Sequence, residues 1–363
     1  MTMAGLTEEQ AMLRDMAREW SNNENPVSAF RKMRDAGHSE GYDPAVYAEM
    51  AQMGWSGILV PEDHGGSGFG FVGLGLVLEE LGRNVAAAPL AASSGAAVAI
   101  MLGGSDEQKA KYLPRIASGE LVATLAIDEG PHHNPEKIET AVEGGKLNGK
   151  KAFVAEGDGA GLFVVAAKDG LYLVDGDAEG VSRAARTVVD SRSHAEIALN
   201  DVAVGNDSRL AEGGDDLLDR VLDCARAIAC AEMLGLAVQA FETTNEYLKT
   251  RVQFGQALSS FQALQHRMAE LFADIALMRS SVEGALQMLD SNIAGAAATV
   301  AVAKATANDV VHRATHEMIQ LHGGIGMTDE HDAGFYFKRA RVLEQQWGSA
   351  GFHRNRFAEL NGY

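Results

Sequence analysis

Phe261, Leu264, Met268, Leu271, Ile275, Met278 and Val282 recur at intervals of three and four. That spacing puts all of them on one side of a helix, and a stripe this sustained predicts packing in a helix bundle. Leu74, Val77, Leu78 and Leu81 predict a shorter helix in the same way. Val46, Tyr47, Met50 and Met53 predict another, stopped at Gly54. Helix starts are marked as well. Thr7 with Gln10 and Ser105 with Gln108 have the spacing of a capping box, in which each side chain satisfies a free amide of the first turn. Asp43-Pro44 pairs an N-cap acid with a proline where the missing N–H costs nothing. The alanine-rich segment 294–307 favours helix and close helix packing.

The pattern changes in the middle of the chain. Leu121–Ile127, Leu162–Ala167 and Leu171–Val174 are short apolar runs bounded by turn residues, as buried strands require. Ala195, Ile197 and Leu199 alternate with polar neighbours at the period of a half-buried strand. Gly144-Gly145, Asp158-Gly159 and Asp169-Gly170 predict turns. The reading is an α+β chain: an N-terminal helical domain over 1–118, a central β domain over 119–210 and a C-terminal helical domain over 211–363. The terminal helical parts are expected to pack together, with the β domain inserted between them.

Composition narrows the functions. The chain has 363 residues, 46% of them hydrophobic and 22% charged, which is a globular composition. Its formal charge of −19 disfavours binding to nucleic acid or anionic membrane. Cys224 and Cys230, the only cysteines, are six apart on a predicted helix and read as reduced core thiols, pointing to the cytoplasm. The N-terminus has no signal-peptide pattern, and no apolar run reaches the roughly 18 residues of a membrane span.

Candidate chemistry concentrates between Arg251 and His331. Arg251 precedes Phe254-Gly255, so a guanidinium fork able to hold a phosphate lies near a ring able to stack. Gln320-Leu-His-Gly-Gly-Ile-Gly326 brings three glycines together, where backbone amides could hold an anion. At both places a purely structural role stays open. Pro61–Gly70 is glycine-rich but lacks both nucleotide-loop fingerprints and reads as a connection. His322, His331 and His353 do not have metal spacing, His132-His133 reads as a solvated loop pair, and no nucleophile elbow is present.

At these residues the sequence resembles the acyl-CoA dehydrogenase family. Arg251-Val-Gln-Phe-Gly with Gln262 is similar to the family's R-x-x-F-G…Q segment, and Gln320-Leu-His-Gly-Gly-Ile-Gly to its Q-x-x-G-G-x-G segment. Residues 54–68 and 104–114 resemble two N-terminal landmarks. The resemblance implies an acyl-CoA dehydrogenase-like fold whose C-terminal part is a four-helix bundle. It also implies FAD as cofactor, an acyl-CoA thioester as substrate and electron-transfer flavoprotein as electron acceptor. A glutamate of the family takes the α-proton while a hydride passes to the flavin. By the same resemblance Arg251 reaches the FAD pyrophosphate and Phe254 and Gln262 line its adenosine end. Gln320, Gly323 and Gly324 hold FAD across a subunit interface, and Arg226 lies near the CoA portion of the substrate.

The departures from the family are specific. Its two positions for the glutamate are occupied here by Ala225 and Trp347. Near the flavin, Asp128 replaces a threonine, and Phe153 and Ala155 replace tryptophan and threonine. The chain therefore resembles the small, base-less subunit of heterotetrameric members. The alternatives are a self-sufficient dehydrogenase with a relocated base, for which Asp223, Asp128 and Glu232 are candidates, and a non-catalytic acyl-CoA or flavin-binding scaffold.

Overall fold

The computed structural model describes residues 5–37 and 40–363. The N-terminal part is helical: α1 (Glu8–Asn23), α2 (Val27–Ala36), α3 (Pro44–Gln52), α4 (Gly70–Arg83), α5 (Leu90–Gly103) and α6 (Asp106–Ala117). The predicted caps form. Thr7 Oγ1 accepts from Gln10 N at 3.2 Å while Thr7 N donates to Gln10 Oε1 at 3.1 Å. Ser105 and Gln108 make the same reciprocal pair, and Asp43 caps α3 at Ala45 N with Pro44 at its first position. Leu74, Val77, Leu78 and Leu81 are all buried on α4. The α5 helix is apolar on nearly every face, so it carries no amphipathic signature, and most of its residues are buried.

The strands follow: β1 (Ala123–Ala126), β2 (Ala141–Glu143), β3 (Lys146–Ala155), β4 (Leu162–Ala167), β5 (Gly170–Asp175), β6 (Val181–Ala185), β7 (His194–Ala203) and β8 (Arg209–Leu210). They form two four-stranded sheets, ordered β1-β4-β5-β8 and β2-β3-β7-β6. The pair β1–β4 is parallel and the other pairs are antiparallel. All six residues of β4 are buried, which explains its unbroken apolar run. Ala195, Ile197 and Leu199 form the buried side of β7. Gly144-Gly145 turns β2 into β3 with both φ positive, at 59° and 76°. The sequence pattern does not reveal β3 or β6. β3 is a lysine-rich strand with a register break between Lys151 and Val154, and β6 is a largely exposed edge.

After the sheets come α7 (Leu217–Thr250), β9 (Val252–Gln253), β10 (Gln256–Ala257), α8 (Gln262–Ser291), α9 (Ala297–His322), α10 (Ala333–Gln345) and α11 (Ala350–Leu360). The fold is thus mixed α+β, with N-terminal helices, central sheets and a C-terminal helical region. Met268, Leu271, Ile275, Met278 and Val282 line the buried face of α8. Cys224 and Cys230 are buried free thiols on α7, and burial pushes the Cys230 thiol up to about 12. No helix among the described residues is long and apolar enough to cross a membrane.

Two compact units emerge. One gathers Met1–Phe30, Gly75–Ala86 and Ala229–Tyr363. Here α1 is tied to α4 by Arg18, which donates to Glu80 at 2.7 and 3.2 Å. The α4 and α7 backbones touch through glycines. A Cβ on Gly82 would lie 2.3 Å from Glu232 O, and one on Gly235 1.9 Å from Glu79 O. The same two acids anchor other helices: Arg279 pairs with Glu79 at 2.5 and 2.9 Å, and Arg339 with Glu232 at 2.7 and 2.9 Å. The other unit gathers Arg31–Leu74 and Ala87–Ile228, including both large sheets.

Candidate functional site

The stretch from Arg251 to His331 contains α8 and α9, which form an antiparallel hairpin. Arg267 pairs with Glu317 at 2.6 Å, and Arg313 with Glu270 at 2.7 Å and Asp274 at 2.6 Å, so the two helices run back along each other. The hairpin returns the glycine-rich turn to the end where Arg251 lies. Tyr247, one turn before Arg251, stacks on His322 with ring centroids 4.3 Å apart and donates to His322 O at 3.4 Å. Leu248, Met268 and Leu321 form a small core beneath, joined by Phe241, Leu258 and Leu264.

On this base the sequence-predicted cofactor residues all stand exposed: Arg251, Phe254, Gln262, Gln320, Gly323 and Gly324. Phe254 and Gly255 make the tight turn of the β9–β10 hairpin with φ of 55° and 81°. Phe254 is 88% exposed and held in the left-handed region, which disfavours side chains other than glycine's. Leu258 N closes the hairpin on Arg251 O at 2.9 Å. A Cβ on Gly323 or Gly324 would meet nothing within 4 Å, so the turn is open to close approach. A guanidinium, two carboxamides, a free aromatic face and an open glycine turn suit the phosphates, hydroxyls and flat rings of a dinucleotide. The residues present therefore fit FAD.

The second cluster is buried beneath the β1 end of the other unit. Asp128 accepts from His133 Nδ1, with both carboxylate oxygens 3.0 Å away, and from Asn134 N at 3.2 Å. Arg226 donates to His133 Nε2 at 3.1 Å and to Asp223 at 2.9 Å. Because Arg226 can only donate, His133 Nε2 accepts its bond while Nδ1 donates to Asp128. The line runs Asp128, His133, Arg226, Asp223. Arg226 is 1% exposed. The expectation that His132-His133 is a solvated pair fails for His133, whose side chain is only 2% exposed. Nothing in the local pattern signals a partner so distant in sequence.

Beside this line, Lys151 is fully buried and donates to Glu129 at 2.7 Å and to Ile127 O at 3.0 Å. Burial raises the Glu129 carboxyl, but bonds from Lys151, Thr140 and the Glu139 amide outweigh it and bring the group down to about 2. Burial lowers the Lys151 ammonium, opposed by the bond to Glu129. The pair fixes β3 next to its register break, where Phe153 stands 54% exposed at φ 51°.

The two positions that the resemblance assigns to the family's glutamate carry alanine and tryptophan. Ala225 is 5% exposed, 4.0 Å from where a Cβ on Gly95 would lie. Trp347 sits at φ 60° in a turn fastened by its carbonyls. His353 bonds Trp347 O at 2.9 Å, and buried Lys304 donates to Leu343 O at 2.9 Å and to Asn308 at 2.8 Å. Asn308 in turn donates to Gly348 O at 3.1 Å. The acids weighed as replacements are each engaged: Asp128 with His133, Asp223 with Arg226 and Glu232 with Arg339.

Comparison with known proteins agrees with these observations. Residues 7–120 match the acyl-CoA dehydrogenase N-terminal domain, and residues 212–360 match the acyl-CoA dehydrogenase C-terminal domain. The chain belongs to the acyl-CoA dehydrogenase family. Members are flavin-dependent oxidoreductases acting on CH–CH bonds. Acyl-CoA dehydrogenase IpdE2 of Mycolicibacterium smegmatis is 30% identical over 94% of this chain and 96% of its own length. Among solved structures, a variant of the Tcur3481-Tcur3483 steroid ACAD has a TM-score of 0.90 at 30% identity, covering 98% of each chain. The ChsE4-ChsE5 complex from Mycobacterium tuberculosis has a TM-score of 0.92 at 25% identity, covering 100% of each. Within the acyl-CoA dehydrogenase frame, the open end of the α8–α9 hairpin is the candidate flavin surface, and the buried line at Arg226 is a feature that motif matching alone does not reveal.

Proposed function

We propose that this chain is a cytoplasmic subunit of an FAD-dependent acyl-CoA dehydrogenase that contributes flavin-binding surface and assembly to a larger homologous subunit carrying the catalytic glutamate. The observation that carries this reading is a contrast. The residues suited to a dinucleotide stand exposed together, whereas Ala225 and Trp347 offer no carboxylate where the family places its base. The exposed apolar side chains at the same end support assembly. Val252 is 61% exposed, Phe254 88% and Met327 82%, a surface suited to cover by another subunit. Two of the similar solved structures bear names that join two components, which favours a heteromer over a self-sufficient enzyme.

When bound, FAD supplies the hydride acceptor for α,β-desaturation of the acyl thioester. Arg251 would hold its pyrophosphate, Phe254 and Gln262 would line its adenosine end, and Gln320 with the Gly323–Gly324 turn would support FAD from the facing subunit. In this reading the proton would be taken by a glutamate of the larger subunit and the electrons would pass to electron-transfer flavoprotein. Arg226 orders the wall near the CoA portion from within, through His133 and Asp223, rather than by direct contact.

Co-expression with a homologue that carries the glutamate tests this. The pure chain alone is expected to oxidise no acyl-CoA, and the mixed assembly to contain FAD and turn over. Turnover by the chain alone defeats the proposal. In the assembly, Arg251→Ala is expected to weaken FAD binding by about tenfold or more, the loss of a charge-assisted contact. Unchanged flavin retention removes Arg251 from the site.

A further inference from the structure

His322 ends α9 immediately before the Gly323–Gly324 turn and is 3% exposed. Its Nδ1 lies 2.7 Å from Met318 O and therefore carries the proton it donates there. Nε2 is buried without a hydrogen-bond partner, and in the neutral ring it carries the lone pair. From α7, the Tyr247 ring covers His322 while its hydroxyl is spent on His322 O. From the segment after the turn, the His331 ring is 4.4 Å away. His331 Nδ1 accepts from Ala333 N at 3.1 Å, so its hydrogen is on Nε2, and Asp332 lies close enough to act on it. α8 contributes apolar Met268 to the core beneath. Among the described residues, no carboxylate bonds His322 to favour its charged form in the free protein. Burial holds it below the ordinary histidine value, His331 adds to this, and the Met318 bond opposes it.

The place is electrostatically odd for the ligand proposed above. The C-terminal end of a helix carries partial negative charge and disfavours an anion. A cation at the last residue reverses that. We propose that His322 takes up a proton on Nε2 from solvent when a phosphate-bearing dinucleotide docks on the Gly323–Gly324 turn, so that this chain binds its cofactor in a proton-linked step. The inference rests on the FAD reading of the turn. The bound phosphates supply the negative charge that the free site lacks, and the imidazolium offsets both them and the helix end.

The test is calorimetric titration of FAD into the flavin-stripped assembly, in two buffers of different ionisation heat. Wild type is expected to take up close to one proton per FAD near neutral pH. Its affinity should fall by up to about tenfold per pH unit as pH rises between the free and bound values of the group. His322→Gln and His322→Asn, checked for folding by thermal melting, should bind FAD with no proton uptake from this source and a flat pH profile. FAD binding by wild type without uptake, or uptake that persists in both variants, overturns the inference and leaves the flavin reading intact. Failure of the wild-type assembly to bind FAD at all overturns both.

Discussion

Asp128, His133, Arg226 and Asp223 act as a unit because each charge in the line is satisfied by the next. Arg226→Ala removes the cation that bonds both His133 and Asp223, and is expected to destabilise the fold by about 3–5 kcal/mol in urea unfolding. His133→Ala should cost about 1–3 kcal/mol, and the two losses should not add, since they break one network. Arg226→Lys is not expected to rescue, because a lysine lacks the fork that bonds two partners in different directions. The single residues differ in how far the sequence reveals them. Arg251 and Gln320–Gly326 are readable because glycine and charge cluster within a few positions. His133 is not: its burial depends on Arg226, 93 positions later, and an adjacent histidine pair looks like loop.

Helices and strands follow their local chemistry where that chemistry is self-contained. Both capping boxes form, and Ser105→Ala should cost about 1 kcal/mol in thermal or denaturant unfolding. The α8 stripe, β4 and the alternation of β7 are likewise legible, since each pattern records one buried face. β3 escapes because Lys146, Lys150 and Lys151 mask its period, and Lys151 turns inward where Glu129 and Ile127 O receive it. The α4–α7 crossing escapes too. Gly82 and Gly235 look like ordinary helix glycines, yet each lets a neighbouring backbone touch. Gly235→Ala is expected to destabilise by about 1–3 kcal/mol or more, because a Cβ at 1.9 Å from Glu79 O forces the helices apart. A neutral Gly235→Ala variant would remove that crossing from the account of stability.

For the molecule as a whole, several ionisable groups, buried to different degrees, set its response to acid. His312, His322 and His331 are each held below the ordinary histidine value, chiefly by burial. The unfolded chain therefore takes protons first, at about pH 6.5, and the folded state should lose stability as pH falls through that value. Glu129, brought down to about 2, contributes stability that is present above the ordinary carboxylate range and is lost as pH falls towards 2. Melting temperature measured against pH should therefore decline in two stages, the first absent if the histidines do not titrate low.

The α8–α9 hairpin also has a practical meaning. Its closed end, the short turn around Asn292–Gly295, is exposed at residues 292, 294 and 295. The 26 residues of α9 carry the chain about 39 Å from that turn to the glycines. A fluorescent label or small peptide tag grafted at Ala294 would sit at the far pole from every residue suited to the flavin, giving a handle for watching subunits join without touching what they join around.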